Sequence, residues 1–212
     1  MRLLKNQIES WCTVKKNPLG IAFAFLGFFS FFLMVIAIFV FGVFDDPEPP
    51  ATNPSPSINS SANAPQNNWS VEQQNALEQA YSYLALTGFS ADGLVEQLVF
   101  EKYPQDVAIW AVSHCEVDWN AEALEKACSY VSLSGFSRAG LIEQLKFEKF
   151  TPSQAVYGAD NCGADWNAEA AEKAASYLSL SSFSREGLID QLKFEGFTAD
   201  QAEYAVKANG FN

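Results

Sequence analysis

The chain has 212 residues, of which 49% are hydrophobic, and a formal net charge of −12 at pH 7. From residue 69 onward it carries 9 Lys and Arg against 21 Asp and Glu, so the acidity belongs to the C-terminal two thirds. Because an acidic surface repels phosphate backbones, this composition argues against a nucleic-acid ligand and favours a basic protein partner.

The first element predicted along the chain is a membrane span. Residues Leu19 to Phe44 are 26 residues without a charged side chain, and a helix of that length, roughly 39 Å, exceeds the ~30 Å hydrocarbon core. A cleaved signal peptide is the alternative, but its apolar region has only about 7–15 residues and ends in a small-x-small cleavage site. Basic residues precede the span and acidic residues follow it. The positive-inside rule therefore predicts a cytoplasmic tail at 1–18 and an extracellular location for everything after residue 44.

A linker is predicted next, at residues 45–68. This segment contains six prolines, and its only large apolar residue is Ile58. Such a composition cannot bury enough apolar area to offset the entropy of ordering. We expect a disordered, extended stalk that reaches at most about 75 Å.

Three copies of one unit follow the linker, at 69–118, 119–165 and 166–212. The second and third copies are both 47 residues long and align without gaps, with 30 identical positions. The first copy is more divergent and has three extra residues near its start. Each copy is predicted to form three helices and none contains a convincing strand, so the fold class is all-α, with tandem helix-turn-helix-like repeats.

The spacing of residues within a copy predicts which helix faces are buried. In the first helix of the second copy the apolar residues recur at i, i+3, i+4 and i+7, which is the period of one buried face; they are Leu124, Ala127, Cys128 and Val131. On the opposite face, Glu122 with Lys126 and Glu169 with Lys173 have the spacing of i, i+4 ion pairs.

Helix ends carry their own signals. Ser137 and Ser184 are predicted N-caps of the second helix. The third helix is predicted to start at a T-x-x-Q capping box, which begins at Thr151 and again at Thr198. Helix C-termini are predicted where glycine follows the apolar pattern, at Gly163 and Gly210.

Two tryptophans, Trp119 and Trp166, stand at the boundaries between copies. They could pack between repeats or serve as exposed binding anchors. Their fixed place at each boundary favours packing.

The four cysteines do not form a metal or redox motif. Cys12, Cys115, Cys128 and Cys162 include no C-x-x-C pair, so no zinc site and no cofactor is predicted. Cys115 and Cys162 occupy equivalent repeat positions, which helix packing separates by more than the roughly 7 Å between Cα atoms that a disulfide allows. We expect thiols.

The repeat motif resembles that of the Ltp-type host cell surface-exposed lipoprotein family. The pattern W-N-x-x-A-x-x-x-A-x-S-Y, followed by F-S-R-x-G-L-I-x-Q-L-K-F-E, occurs nearly intact at Trp119–Tyr157 and at Trp166–Tyr204, and more loosely over 69–112. The resemblance implies compact helical units on surface proteins of Gram-positive bacteria, encoded by phage or host. It also implies superinfection exclusion, by blocking the entry of phage DNA. Members of that family are typically lipid-anchored, whereas this chain has a predicted transmembrane helix, and either anchor leaves the repeats outside the membrane.

An enzyme is not predicted. His114 is the only histidine, and no nucleophile–base pair or metal-ligand cluster accompanies it. DNA binding, which a helix-turn-helix shape suggests, is opposed by the charge and by the extracellular location. Three functions remain open: superinfection exclusion through a protein contact, a general surface adhesin, and a regulator that senses the cell envelope. The regulator is the weakest of the three, because the predicted cytoplasmic tail is short.

The predicted partner is a basic segment of a phage tail component. The residues predicted to bind it are acidic side chains on the polar sides of the second and third helices: Glu143, Glu148, Asp190, Glu195 and Asp200. Their alternative interpretation is an ordinary solvated face.

Overall fold

A computed structural model of the chain describes residues 68–212. The predicted cytoplasmic tail (1–18), the transmembrane helix (19–44) and the linker (45–68) lie outside the described residues, apart from Asn68 at the end of the linker. Among the helices at 68–212, none has the length and hydropathy needed to cross a bilayer.

The described residues form nine α-helices and no strand, three helices in each predicted repeat, which confirms the all-α repeat architecture for residues 68–212. The helices are α1 (Val71–Leu84), α2 (Ala91–Phe100), α3 (Gln105–Ser113), α4 (Trp119–Val131), α5 (Arg138–Phe147), α6 (Pro152–Asn161), α7 (Trp166–Leu180), α8 (Arg185–Phe194) and α9 (Ala199–Ala208).

The helices begin where the sequence places their caps. Ser137 Oγ accepts a hydrogen bond from the backbone N–H three residues later, and Ser184 does the same. Thr151 and Thr198 form complete capping boxes, in which the glutamine side chain at N3 returns the bond to the cap. These interactions satisfy backbone N–H groups that the first helical turn leaves without partners. The predicted caps are confirmed.

Each repeat has a small hydrophobic core of its own. The second helix contributes two fully buried leucines to each core: Leu94 and Leu98, Leu141 and Leu145, Leu188 and Leu192. The first and third helices meet through small residues, chiefly alanine. In the second repeat, a Cβ added at Gly158 would lie 2.6 Å from the carbonyl oxygen of Ala123, so these two helices are in backbone contact there. Small residues permit this approach of the first and third helices.

The predicted buried face of α4 is rotated slightly in the structure. Ala123 and Ala127 are fully buried, whereas Leu124, Cys128 and Val131 are half-buried at the edge of the core. The larger side chains flank the alanine contact rather than fill it, because the first and third helices lie too close together for them.

The boundary tryptophans pack rather than protrude. Trp119 lies against the core of the first repeat, although it begins the first helix of the second, and Trp166 lies in the same way against the core of the second repeat. In the first repeat Trp69 instead makes an edge-on contact with Trp110, at 5.0 Å between ring centroids. The packing interpretation is confirmed for Trp119 and Trp166.

Candidate binding surface

The five acidic residues predicted to bind a partner fall into two groups. Glu143 and Asp190 project into solvent, with side chains 70% and 77% exposed, and Asp200 is exposed in the first turn of α9. Glu148 and Glu195 are half-buried and already engaged with other parts of the fold. The structure therefore brings together no single five-carboxylate site. Three of the residues lie in solvent, and two of them, Glu143 and Asp190, form surface ion pairs with Lys146 and Lys193 of the same helix.

Glu148 and Glu195 hold the ends of the second helices. Each is the C-cap residue of its helix, α5 or α8. Glu148 Oε2 pairs with Lys126 Nζ at 3.1 Å, and Glu195 Oε2 with Lys173 Nζ at 3.4 Å. Glu195 also accepts a hydrogen bond from the hydroxyl group of Tyr177. These contacts join the first helix of a repeat to the end of its second helix.

The predicted i, i+4 ion pairs on the first helices are wrong. Lys126 and Lys173 turn toward the C-caps of α5 and α8, as described above. Glu122 and Glu169 turn the other way, toward the preceding repeat, and Glu169 is only 9% exposed. The i, i+4 spacing allows the two side chains of a helix to pair, but each of these side chains has a partner elsewhere in the fold and pairs with that instead.

Glu122 and Glu169 instead bind the backbone of the repeat before them. Glu122 Oε2 accepts a hydrogen bond from the N–H of Phe89 at 3.3 Å, and Glu169 Oε2 accepts one from the N–H of Phe136 at 3.2 Å. Burial, together with neighbouring carboxylates, raises the pKa of both carboxyl groups to about 7, and the backbone hydrogen bond opposes that rise. Sequence reasoning missed this role because the motif W-N-A-E reads as the first turn of a solvated helix.

The serine N-caps at 90 and 137 also connect neighbouring repeats. Ser90 Oγ donates to the carbonyl oxygen of Glu148 at 2.5 Å, and Ser137 Oγ donates to that of Glu195 at 2.6 Å. Both serines are buried, whereas Ser184, at the equivalent place in the third repeat, is exposed. One hydroxyl group therefore caps its own helix and binds the C-cap carbonyl of the next repeat's second helix.

The boundary also depends on two glycines. A Cβ at Gly88 would lie 2.9 Å from the backbone nitrogen of Lys126, and one at Gly135 would lie 2.7 Å from that of Lys173. Real side chains do not tolerate these separations, so each glycine permits the first helix of the next repeat to approach. Ser182 stands at the equivalent position of the third repeat.

The most exposed large apolar side chains of this part of the chain recur at one position of the repeat. Phe147 and Phe194, 47 residues apart, are 82% and 86% exposed, and Phe100 stands at the same position of the first repeat and is also exposed. Each is the last residue of its second helix. Sequence reasoning missed them, although each follows a buried leucine by two residues and so falls outside the i, i+3, i+4 pattern of the core.

A groove lies beside Phe147, between the first and second repeats. Its volume is about 400 Å³, and its wall is made by residues of both repeats: Phe89, Ser90, Gly93, Glu96, Phe147, Glu148 and Lys149. The Lys149 ammonium group forms an ion pair with Glu96 across it. The groove is thus apolar along its wall and charged at its rim.

The histidine and the buried cysteines at 68–212 are packed against other residues or hydrogen-bonded to the backbone. His114 stacks on Trp110 with ring centroids 4.2 Å apart, and its Nδ1 lies 2.7 Å from the Trp110 carbonyl oxygen. Cys115 is buried, which raises the pKa of its thiol to about 11, so it stays protonated at neutral pH. Cys162 is also buried and donates from Sγ to the Ala159 carbonyl oxygen at 3.3 Å. Within residues 68–212, no three His, Cys, Asp or Glu side chains converge in a way that could hold a metal ion.

Comparison with known proteins places the repeats in a family. The model of the host cell surface-exposed lipoprotein family matches residues 71–115, 118–162 and 165–208, one match for each repeat. Among solved structures, the chain is similar to Ltp, a superinfection exclusion protein from the Streptococcus thermophilus temperate phage TP-J34. The similarity is 36% sequence identity over 44% of this chain and 97% of that chain, with a TM-score of 0.42. No curated protein sequence matches. Because the family model matches every repeat and more than half of the chain, the chain belongs to the host cell surface-exposed lipoprotein family.

Proposed function

We propose that the chain is a membrane-tethered surface protein that excludes superinfecting phage by binding, without catalysis, a tail component that would otherwise admit phage DNA. The observation that carries the proposal is the family match over all three repeats. Those repeats make up almost everything predicted to lie outside the membrane beyond the linker. We therefore infer that the repeats carry the function of the chain at the cell surface.

The charge of the repeats supports a basic partner. The net charge of −12 resides in the repeats, and Glu143, Asp190 and Asp200 hold three of the carboxylates in solvent. Charges at the rim of an interface mainly set the association rate and its salt dependence. We expect a partner segment rich in lysine or arginine, and binding that weakens as ionic strength rises.

The surroundings of the reactive groups favour binding over catalysis. The His114 ring is stacked against tryptophan, and the raised pKa of Cys115 keeps its thiol in the poorly nucleophilic form. Glu122 and Glu169, whose pKa of about 7 would suit a general base, face the neighbouring repeat rather than an open cleft. We propose that their shifted pKa values reflect the interface they build.

The test is a phage challenge of cells with and without the chain, in which adsorption is scored separately from DNA entry. Superinfection exclusion predicts unchanged adsorption and a loss of DNA entry. A general adhesin predicts no effect on either step and a gain in attachment of the cells to surfaces or to one another. Unimpaired DNA entry for every phage tested against expressing cells would refute the proposal.

The proposed topology has a separate test. Protease added to intact cells should release a fragment that contains the repeats, because residues 45–68 are predicted to be an exposed linker. The remainder of the chain should stay in the membrane fraction through residues 19–44. If the repeats resist the protease in intact cells but are cleaved after lysis, they lie inside the cell, and the proposed extracellular tethering is wrong.

A further inference from the structure

We propose that the exposed phenylalanines at the ends of the second helices, Phe147 and Phe194, form the contact surface, together with the groove between repeats. The occupant we propose is a protein segment that carries apolar side chains next to lysine or arginine. This inference rests on the proposed function, since it names the surface and the chemistry of the partner.

The first argument is that the fold does not use these side chains. Phe147 and Phe194 are the last residues of α5 and α8, and the cores are closed by other residues: Leu145 and Phe150 in one repeat, Leu192 and Phe197 in the next. A phenylalanine held in water forgoes the stabilisation that burial of its ring would give. Burial of the core therefore does not account for phenylalanine at this position.

The second argument is repetition. Single exposed apolar residues are normal on protein surfaces and need no explanation. Here the same residue type occupies the same position in three successive repeats, at 100, 147 and 194. The preceding residue differs, valine in the first repeat and lysine in the other two, whereas glutamate follows the phenylalanine in all three. Exposed leucines recur in the same way at 86, 133 and 180, so repetition supports a contact at the phenylalanines only together with the groove beside Phe147.

The third argument is the shape beside Phe147. The groove of about 400 Å³ runs between Phe147 of the second repeat and Phe89 of the first. Phe89 is half-buried, and its ring faces Lys126 Nζ, 5.6 Å from the ring centroid. A side chain that entered the groove would touch aromatic surface from two repeats. The groove thus combines apolar surface on its wall with charged groups at its rim, as contact sites between proteins do.

The fourth argument is charge, which selects the occupant. The rim of the groove carries Glu96 and Glu148, which are paired with Lys149 and Lys126. In the next repeat Gly196 takes the place of Lys149, while Glu143 and Glu195 are paired with Lys146 and Lys173. These ion pairs leave the charge beside Phe147 and Phe194 balanced. The net charge of −12 of the repeats as a whole is what favours a partner with lysine or arginine beside its apolar group.

The experiment compares two matched double variants of the full chain, in lipid nanodiscs and in cells. One is Phe147→Ser with Phe194→Ser. The control is Leu86→Ser with Leu180→Ser, which removes two other apolar side chains, 79% and 76% exposed, that also stand at equivalent positions of their repeats. Binding is measured by fluorescence anisotropy with three labelled peptides. The first alternates phenylalanine and leucine with lysine, the second replaces its apolar residues by serine, and the third replaces lysine by glutamate.

We expect the apolar and basic peptide to bind at least tenfold more tightly than the other two. The phenylalanine variant should lose at least tenfold of that affinity, and the leucine control should keep it. In cells, the phenylalanine variant should lose protection against phage at equal surface display, while the control protects. Circular dichroism of both variants in the same nanodiscs should show wild-type helicity, since neither pair belongs to a core.

Several outcomes would overturn the inference. The wild-type chain could bind all three peptides alike, or none of them. The phenylalanine variant could bind and protect as the wild type does, which leaves superinfection exclusion standing with a different surface. Crosslinked dimers, or contact with empty nanodiscs, that vanish in the phenylalanine variant would assign the surface to a second copy or to lipid. If the wild type protects against no phage while the peptide result holds, the surface stands and superinfection exclusion fails.

Discussion

Glu169 Oε2 accepts a hydrogen bond from the backbone N–H of Phe136, 3.2 Å away, across the boundary between the second and third repeats. The same contact joins Glu122 to Phe89 between the first and second repeats. A carboxyl group thus occupies each boundary, and its burial opposes ionisation. The array is therefore held together by an interaction whose strength depends on proton binding.

The first prediction follows from the raised pKa of these two carboxyl groups. Each has an ordinary pKa of 4.5 and a pKa of about 7 in the folded chain. Between those values the unfolded chain has released protons that the folded chain retains, so the free energy of unfolding falls as pH rises from about 4.5 to about 7. We expect a loss on the order of 1–3 kcal/mol for each group over this interval. Urea unfolding of residues 69–212 at a series of pH values would measure it.

The matched control replaces Glu122 and Glu169 by glutamine, which can accept the same hydrogen bond and carries no proton to lose. The pH dependence should flatten between 4.5 and 7, and the variant should be the more stable chain at pH 7.5. Burial also raises the pKa of Glu101 and Glu125, so a smaller slope of the same sign should remain. A double variant with the wild-type slope would show that the boundary carboxylates do not titrate in this range.

The second prediction concerns Gly135, where the backbone of the next repeat leaves no space for a side chain. Gly135→Ala should destabilise residues 69–212 by about 2 kcal/mol or more, because the added Cβ would meet the backbone at Glu169 and Lys173. The matched control is Ser182→Ala, at the equivalent position of the third repeat, which should cost no more than about 0.5 kcal/mol. Thermal unfolding followed by circular dichroism would compare them. Equal losses from the two substitutions would mean that the position acts through its own loop rather than through the boundary.

The third prediction separates the two functions of the serine N-caps. Ser184→Ala removes only a cap, for which about 1 kcal/mol is expected. Ser137→Ala also removes the donor to the carbonyl oxygen of half-buried Glu195, and an acceptor left without its donor there adds about 1 kcal/mol or more. The difference between the two losses, measured by urea unfolding, estimates the coupling between repeats. A difference near zero would show that the cross-repeat bond contributes nothing.

The sequence predicted what is local and periodic. Helices, their caps at Ser137 and Thr151, and the repeat boundaries at Trp119 and Trp166 all follow from spacing and from the chemistry of single residues. Such features depend on neighbours within about four positions, which the sequence displays directly.

The sequence could not predict what lies between repeats. Glu169 has a local partner at the correct helical spacing, Lys173, and the structure gives each of them a different tertiary partner. Gly135 and Ser137 likewise look like ordinary loop and cap residues until the next repeat packs against them. The exposure of Phe147 was missed although its spacing shows it, since it follows Leu145 by two residues and lies outside the i, i+3, i+4 pattern. The contacts of Glu169, Gly135 and Ser137 depend on how one repeat docks on the next, and spacing along the chain does not encode that relation.

The last prediction uses this distinction to test the acidic surface. Glu143, Asp190 and Asp200 are exposed, whereas Glu148 and Glu195 hold the first helix of a repeat to the end of its second. Neutralising the exposed three, as Glu143→Gln, Asp190→Asn and Asp200→Asn, should leave the melting temperature within a few degrees of wild type. It should slow association with the partner, weaken the salt dependence of binding and reduce protection against phage.

Neutralising the half-buried pair, as Glu148→Gln with Glu195→Gln, should behave differently. It deprives Lys126 and Lys173 of their counter-ions, and each pair is only partly exposed. We expect a loss of about 1 kcal/mol in stability for each pair, somewhat above the value of a fully exposed ion pair. Protection should then follow the amount of folded chain at the surface. Melting temperature, surface display and phage challenge, measured on both variants, separate the two groups. A triple variant that is folded, displayed and fully protective would show that the exposed carboxylates take no part in recognition. Binding would then depend on the phenylalanine surface alone.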